Sequence, residues 1–148
     1  MILKIFPDKH PHLRKICIKV DPAKHSKLAN SMLETLKAKK ALGLAANQVG
    51  KSLRIIALNL DSYKGIMFNP EILEKSDDIY EFPEGCLSIK KKLVNTKTRS
   101  KTIKVKWQSK DGTYNEKEFT DLDAVVIQHE IDHLNRMIVT GKQPSGNS

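Results

Sequence analysis

Leu28, Ala29, Met32, Leu33 and Leu36 recur at the spacing that places side chains on one side of a helix. Asp21-Pro22-Ala23-Lys24 lies just ahead of them and reads as a helix opening, with an acceptor side chain followed by a proline whose missing N–H is harmless in a first turn. The pattern predicts a helix over 23–39. Further on, Leu122, Val125, Val126, His129 and His133 fall at i, i+3, i+4, i+7 and i+11, which predicts a second helix with two histidines in its inward stripe and Thr120 or Asp121 as its cap. Between the two the period drops to two. Arg54 to Leu60 is β-rich and largely apolar, and Gly65 to Asn69 reads as its neighbour until Pro70, which lacks the donor that a ladder needs. Thr102 to Trp107 alternates strictly, and Lys110-Asp111-Gly112-Thr113 supplies a hairpin turn into a partner strand from Tyr114 to Phe119. A shorter alternating run, Arg14 to Ile18, carries Cys17 at a position suited to a buried structural cysteine. The order of helix, strands, hairpin and helix predicts an α+β fold, with antiparallel β-sheets around a buried helix.

Composition narrows the class. With 148 residues, 39% hydrophobic and 29% charged, the chain fits one globular domain over 1–140, and Gly141 to Ser148 has nothing to bury and reads as a disordered tail. No apolar run spans a bilayer, and the opening Met1 to Phe6 meets Pro7-Asp8 too soon for a signal peptide, so a cytoplasmic protein without a membrane partner is expected. Two cysteines are too few for a disulfide framework. The net charge is +9, and lysines bunch in runs at 37–40 and 90–101. Attraction to an acidic partner and a simply solvated surface account for these runs equally well; no aromatic residues interleave to stack on bases, so no specific nucleic acid is expected.

Candidate chemistry lies in Ile127-Gln128-His129-Glu130-Ile131-Asp132-His133-Leu134. On a helix, residues four apart stack on one face about one turn apart, which suits two imidazoles on one metal ion. Glu130 projects to the side, where it can act on a water as a general base without ligating the metal. The five-residue pattern also arises by chance around packed or solvated histidines, but an inward stripe buries both rings, and a buried imidazole needs a hydrogen-bond partner or a metal. Leu134 to Thr140 contains no further Glu or His, so a third ligand must come from upstream. Cys86, in Pro83-Glu84-Gly85-Cys86-Leu87-Ser88, is the candidate; its thiolate suits Zn2+ or Fe2+, and Gly85 beside it lets a backbone approach closely. Cys86, His129 and His133 plus one water give three protein ligands and an open position, the pattern of a catalytic site.

Three segments, Gly43-Leu44-Ala45-Ala46-Asn47-Gln48, Glu84-Gly85-Cys86-Leu87-Ser88 and Gln128-His129-Glu130-Ile131-Asp132-His133, resemble the three motifs of the peptide deformylases in the family's order. The likeness runs from about Met1 to Val139 and takes in Leu13-Arg14-Lys15 and Asn69-Pro70-Glu71-Ile72-Leu73. The resemblance implies a metal-dependent hydrolase that removes the formyl group from the N-terminal formyl-methionine of newly made proteins, releasing formate. It implies one divalent ion, Fe2+ first, with Zn2+ or Ni2+ able to take its place. Cys86, His129 and His133 then hold the metal, whose bound water is the nucleophile, and Glu130 is the general acid/base. Gln48 and the Leu87 N–H donate to the developing oxyanion. Leu42, Gly43 and Gly85 follow the substrate backbone, and Phe82, Leu122, Val125 and Val126 surround the methionine side chain. N-formylmethionyl nascent peptides are the implied partners, met near the ribosome by a monomer.

The chain departs from the family pattern at Ala41, where the first motif usually has glycine, and at Ile89-Lys90-Lys91-Lys92, where a proline often follows the second motif. It also ends soon after the metal helix, without the long C-terminal helix of many bacterial members, as in the short forms encoded by bacteriophages. Two other readings stay open. A metallopeptidase or other amidase shares the water chemistry but ordinarily takes its third ligand downstream. A basic ribosome- or nucleic-acid-binding module with a structural metal needs a fourth protein ligand, and Cys17, His10, His12 and His25 are poorly spaced to supply one.

Overall fold

Ile55-Ile56-Ala57-Leu58 shows no polar alternation because it is buried on both faces. In the computed structural model, which describes residues 1–6, 10–80 and 99–135, this strand (β2, Ile55–Asn59) separates two apolar cores. Ile55 and Ala57 pack with Ala29, Met32, Leu36 and Phe68 under the first helix, α1 (Ser26–Ala38). Ile56 and Leu58 pack with Met67, Ile103, Val105, Phe119 and Ile127 under the second, α2 (Asp121–Leu134). Around β2 the described residues form one five-stranded antiparallel sheet in sequence order, from β1 (Gly43–Ala45) through β2, β3 (Lys64–Lys75) and β4 (Thr102–Gln108) to β5 (Tyr114–Thr120). The expected α+β architecture is the one observed, with α2 buried against the sheet.

Strand β3 runs through Pro70 instead of stopping before it. The ladder to β4 shifts register between Phe68 and Glu71, so the proline sits in a bulge, where no ladder donor is required. Asn69 takes up the distortion at φ +50, and its side chain bonds both Val20 N–H (2.9 Å) and Val20 C=O (2.8 Å), tying the N-terminal segment to the sheet. The hairpin forms as predicted, with Gly112 at φ +88 and Ser109 N–H bonded to Thr113 C=O.

The start of α1 differs from expectation, whereas α2 is capped at an expected residue without the expected side-chain bond. Asp21 caps a separate 3-10 turn, Pro22–Lys24, and His25, at φ -126, breaks it from α1, which begins only at Ser26. At α2, Thr120 holds the cap position but makes no side-chain capping bond; the chain turns in through Asp121 at φ +56, whose N–H bonds Lys101 C=O at 2.8 Å. Asp121 and Asp123 in the first turn complement the helix dipole, and Asp123 accepts from the Ser62 N–H and hydroxyl. The single inward stripe foreseen for α2 is too narrow, since ten of its fourteen residues are buried, Gln128 and Glu130 among them. In the Arg14 to Ile18 run Cys17 is buried as expected, yet pairing is limited to one bridge, Ile18 to Leu53. Among the described residues no helix is long and apolar enough to cross a membrane.

Candidate active site

The two histidines of α2 lie 4.8 Å apart between ring centroids and are nearly perpendicular, at 85°. Burial strips water from both rings and disfavours their charged forms, lowering His129 to about 3 and His133 to about 4; the neighbouring ring for His129, and Arg99 for both, push the same way. Both are therefore neutral at physiological pH, the form in which imidazole ligates a metal. Nε2 of His133 is buried and has no hydrogen-bond partner among the described residues. A buried lone pair of this kind is costly unless something outside the described residues meets it.

Glu130, 3% exposed, lies on the adjacent side of α2 against β1. A Cβ added at Gly43 would stand 2.8 Å from both Cγ and Oε2 of Glu130, so the glycine makes room for the carboxylate. This contact joins the first and third motifs. Gln48 follows in a 3-10 turn, Ala46–Val49, which Gly50 closes at φ +87 and which Phe6 N–H anchors by bonding Gln48 C=O at 2.7 Å. The side-chain oxygen of Gln48 accepts from Ala45 N–H at 2.8 Å. That bond fixes the amide so that its NH2 is the end left to meet a ligand.

The structure thus brings together Gly43, Gln48, His129, Glu130 and His133. Leu42 and Leu122 are half-buried at the edge of the α2 core, whereas Val125 and Val126 are packed fully inside it. Phe82, Gly85, Cys86 and Leu87 lie outside the described residues, as does the tail at 141–148.

A family model described as polypeptide deformylase matches residues 2–145. The chain belongs to the peptide deformylase family. It is 41% identical over 140 residues to a peptide deformylase of Bartonella henselae, covering 90% of this chain and 78% of that one. Among solved structures it is similar to the PDF of the Vibrio parahaemolyticus bacteriophage VP16T, solved with actinonin (TM-score 0.77, 34% identity, 91% of this chain and 98% of that chain). It is also similar to a probable peptide deformylase of synechococcus phage S-SSM7 (TM-score 0.75, 36% identity, 95% and 99%). The chain is therefore an enzyme that removes the N-formyl group from nascent peptides, and the family implies a catalytic metal.

Around these candidate residues the structure adds side chains that periodicity did not single out. Arg99 is buried and paired with Asp132 of α2; desolvation lowers its guanidinium to about 10, partly opposed by the charge of Glu130. Gln128 fixes the segment beside Arg99 by accepting from Ser100 N–H (3.0 Å) and donating to Ser100 C=O (2.8 Å). Asn47, fully buried, donates to the backbone carbonyl of His133 at 2.6 Å. Arg99 stood in the sequence as one cation in a basic run, and Asn47 only as a member of the first motif. Only the neutral neighbours around Asn47 hinted that its amide is buried.

Proposed function

We propose that Cys86, His129 and His133 hold the deformylase metal, Fe2+ in the cell, with Zn2+ or Ni2+ able to replace it. The observation that carries this reading is the buried pair of neutral imidazoles, with His133 Nε2 lacking a partner among the described residues and Glu130 one residue from His129. A thiolate and two neutral imidazoles suit a borderline-soft divalent ion and leave one position open. When bound, the metal supplies Lewis acidity that activates water at neutral pH and polarises the formyl carbonyl. Glu130 takes the proton of the attacking water and returns it to the departing amine. Gln48, with its amide oxygen already engaged by Ala45, turns its NH2 toward the formyl oxygen, and the Leu87 N–H is the second donor. Losing one such donor costs roughly 2.7–4 kcal/mol of transition-state stabilisation. Leu42 and Gly43 run beside the substrate backbone with Gly85, and Phe82, Leu122, Val125 and Val126 shape the methionine pocket, of which Leu122 retains exposed surface.

The same reading places the catalytic domain at 1–140 in a monomer of the cytoplasm, near the ribosome. Residues 1–60 carry twelve Lys or Arg against three Asp or Glu, while the rest of the chain carries fourteen of each. All the excess charge thus lies in the N-terminal part, which supports a general, salt-sensitive attraction to a polyanionic particle. The test of the site is formate release from formyl-Met-Ala-Ser under anaerobic conditions, with metal analysis of the same sample. Cys86→Ala is expected to lose both metal and activity, and Cys17→Ala to keep both; metal loss on the Cys17 substitution instead would overturn the ligand set.

A further inference from the structure

The last turn of a helix leaves carbonyls with no partner of their own, and in α2 that turn carries His133. Ile131 C=O and Asp132 C=O accept from Asn135 N–H, at 2.9 and 3.0 Å. The same N–H also reaches His133 C=O, and this carbonyl and the next are met by side chains from far away in the sequence. His133 C=O accepts from Asn47 Nδ2 at 2.6 Å, and Leu134 C=O from Arg54 Nη1 at 3.5 Å, while Arg54 Nη2 also donates to the Asn135 side-chain oxygen at 3.1 Å. Asn47 and Arg54 flank the same bend between β1 and β2. Asn47 also adjoins Gln48 in the 3-10 turn. The turn that bears the oxyanion donor is therefore bonded directly to the backbone of the second histidine.

We infer that Asn47, assisted by Arg54, is a positioning residue that caps α2 from outside and holds His133 in ligating register with Gln48. The inference rests on reading His133 as a metal ligand. Asn47 acts through the His133 carbonyl, to which its side-chain nitrogen donates. A helix end without its caps frays within one turn, and His133 lies one residue from the end of α2. Supporting groups around metal ligands typically change metal affinity by 10–100-fold when removed.

The test uses the full-length protein loaded with Co2+, whose visible absorption bands report ligand geometry. Its readouts are that spectrum, the rate of Co2+ transfer to a chelator, and the melting temperature of the metal-free protein. Asn47→Ala is expected to alter the spectrum and speed release by roughly 10-fold or more. Asn47→Asp, equal in size but with its donor replaced by an acceptor, serves where the alanine variant fails to fold, and is expected to change both readouts in the same direction. Met32→Ala, in the core on the other side of the sheet, is the control for simple destabilisation: it should lower the melting temperature with the spectrum and release rate unchanged. Asn47 variants that behave like the Met32 control, losing stability alone, would overturn the inference. His133→Ala separates the two readings: if it kept Co2+ as tightly as the parent protein, the ligand reading would fail and the inference with it, whereas rapid loss from His133→Ala with normal retention by both Asn47 variants would reject the positioning role alone.

Discussion

α1 and α2 are similar in length and lie on opposite faces of the same sheet, yet they bury different things. Four of the thirteen residues of α1 are buried, three of them apolar, and its charged residues face water; Glu34 at its surface pairs with the N-terminal ammonium group. In α2 the buried set includes Gln128, His129, Glu130 and His133. Burying polar and ionisable groups opposes folding unless each is met by a partner, so a helix that retains four of them is held for chemistry as well as for packing. α1 supports the sheet; α2 carries the residues proposed as metal ligands and base.

The sharpest way to break this contrast is to exchange one carboxylate for its amide in each helix. Glu130→Gln keeps the shape of the side chain and removes the base, so kcat should fall by about 10²–10⁴-fold with metal content unchanged, while Glu34→Gln should leave kcat/KM at the parent value. Near-normal turnover of Glu130→Gln would remove the general-base role. The converse experiment attacks packing. Leu36→Ala in α1 should cost about 2–5 kcal/mol in chemical denaturation yet leave kcat of the still-folded protein near the parent value, because the cavity opens on the far side of the sheet.

Acid should sharpen the difference further. In the metal-stripped protein burial holds His129 down to about 3 and His133 to about 4 in the fold, against about 6.5 for an exposed imidazole. Between about pH 4 and 6.5 the unfolded chain therefore binds protons that the fold refuses, so stability rises with pH across this window and is lost as pH falls below about 6.5. Denaturation midpoints measured from pH 7 to 4.5 should decline, and His129→Gln/His133→Gln should flatten that slope; an equal slope in the double variant would assign it to other groups. The smallest effect belongs to the chain's end. Truncation after Thr140 should leave melting temperature and kcat/KM on a short formylated peptide near the full-length values, and loss of activity on that peptide would show that the tail completes the site.

Elements with a regular period were legible in the sequence. α1, the β4–β5 hairpin and α2 were all foreseen within a few residues, because apolar spacing alone decides which side faces inward. The His129, Glu130 and His133 constellation was legible for the same reason, since one helix places all three. Features that depend on distant partners were not. Asn47 and His133 are 86 residues apart, and no local pattern couples a small polar residue in a turn to a carbonyl at a helix end. Arg99 and Asp132 are 33 apart, and the arginine was hidden in a run of cations. The proline in β3 misled because a bulge, which local rules do not foresee, removes the need for its missing donor.

The two-sided strand at the centre of the fold also governs where this chain tolerates changes of length. Because Ile55 and Ala57 belong to one core and Ile56 and Leu58 to the other, a single residue inserted in β2 would exchange the two sets and misfit both cores at once. An insertion beside Gly112, in the exposed hairpin turn where an added Cβ meets nothing within 4 Å, disturbs only its own loop. Peptide tags and engineered insertions thus belong at the hairpin tip, and β2 requires a fixed count of residues.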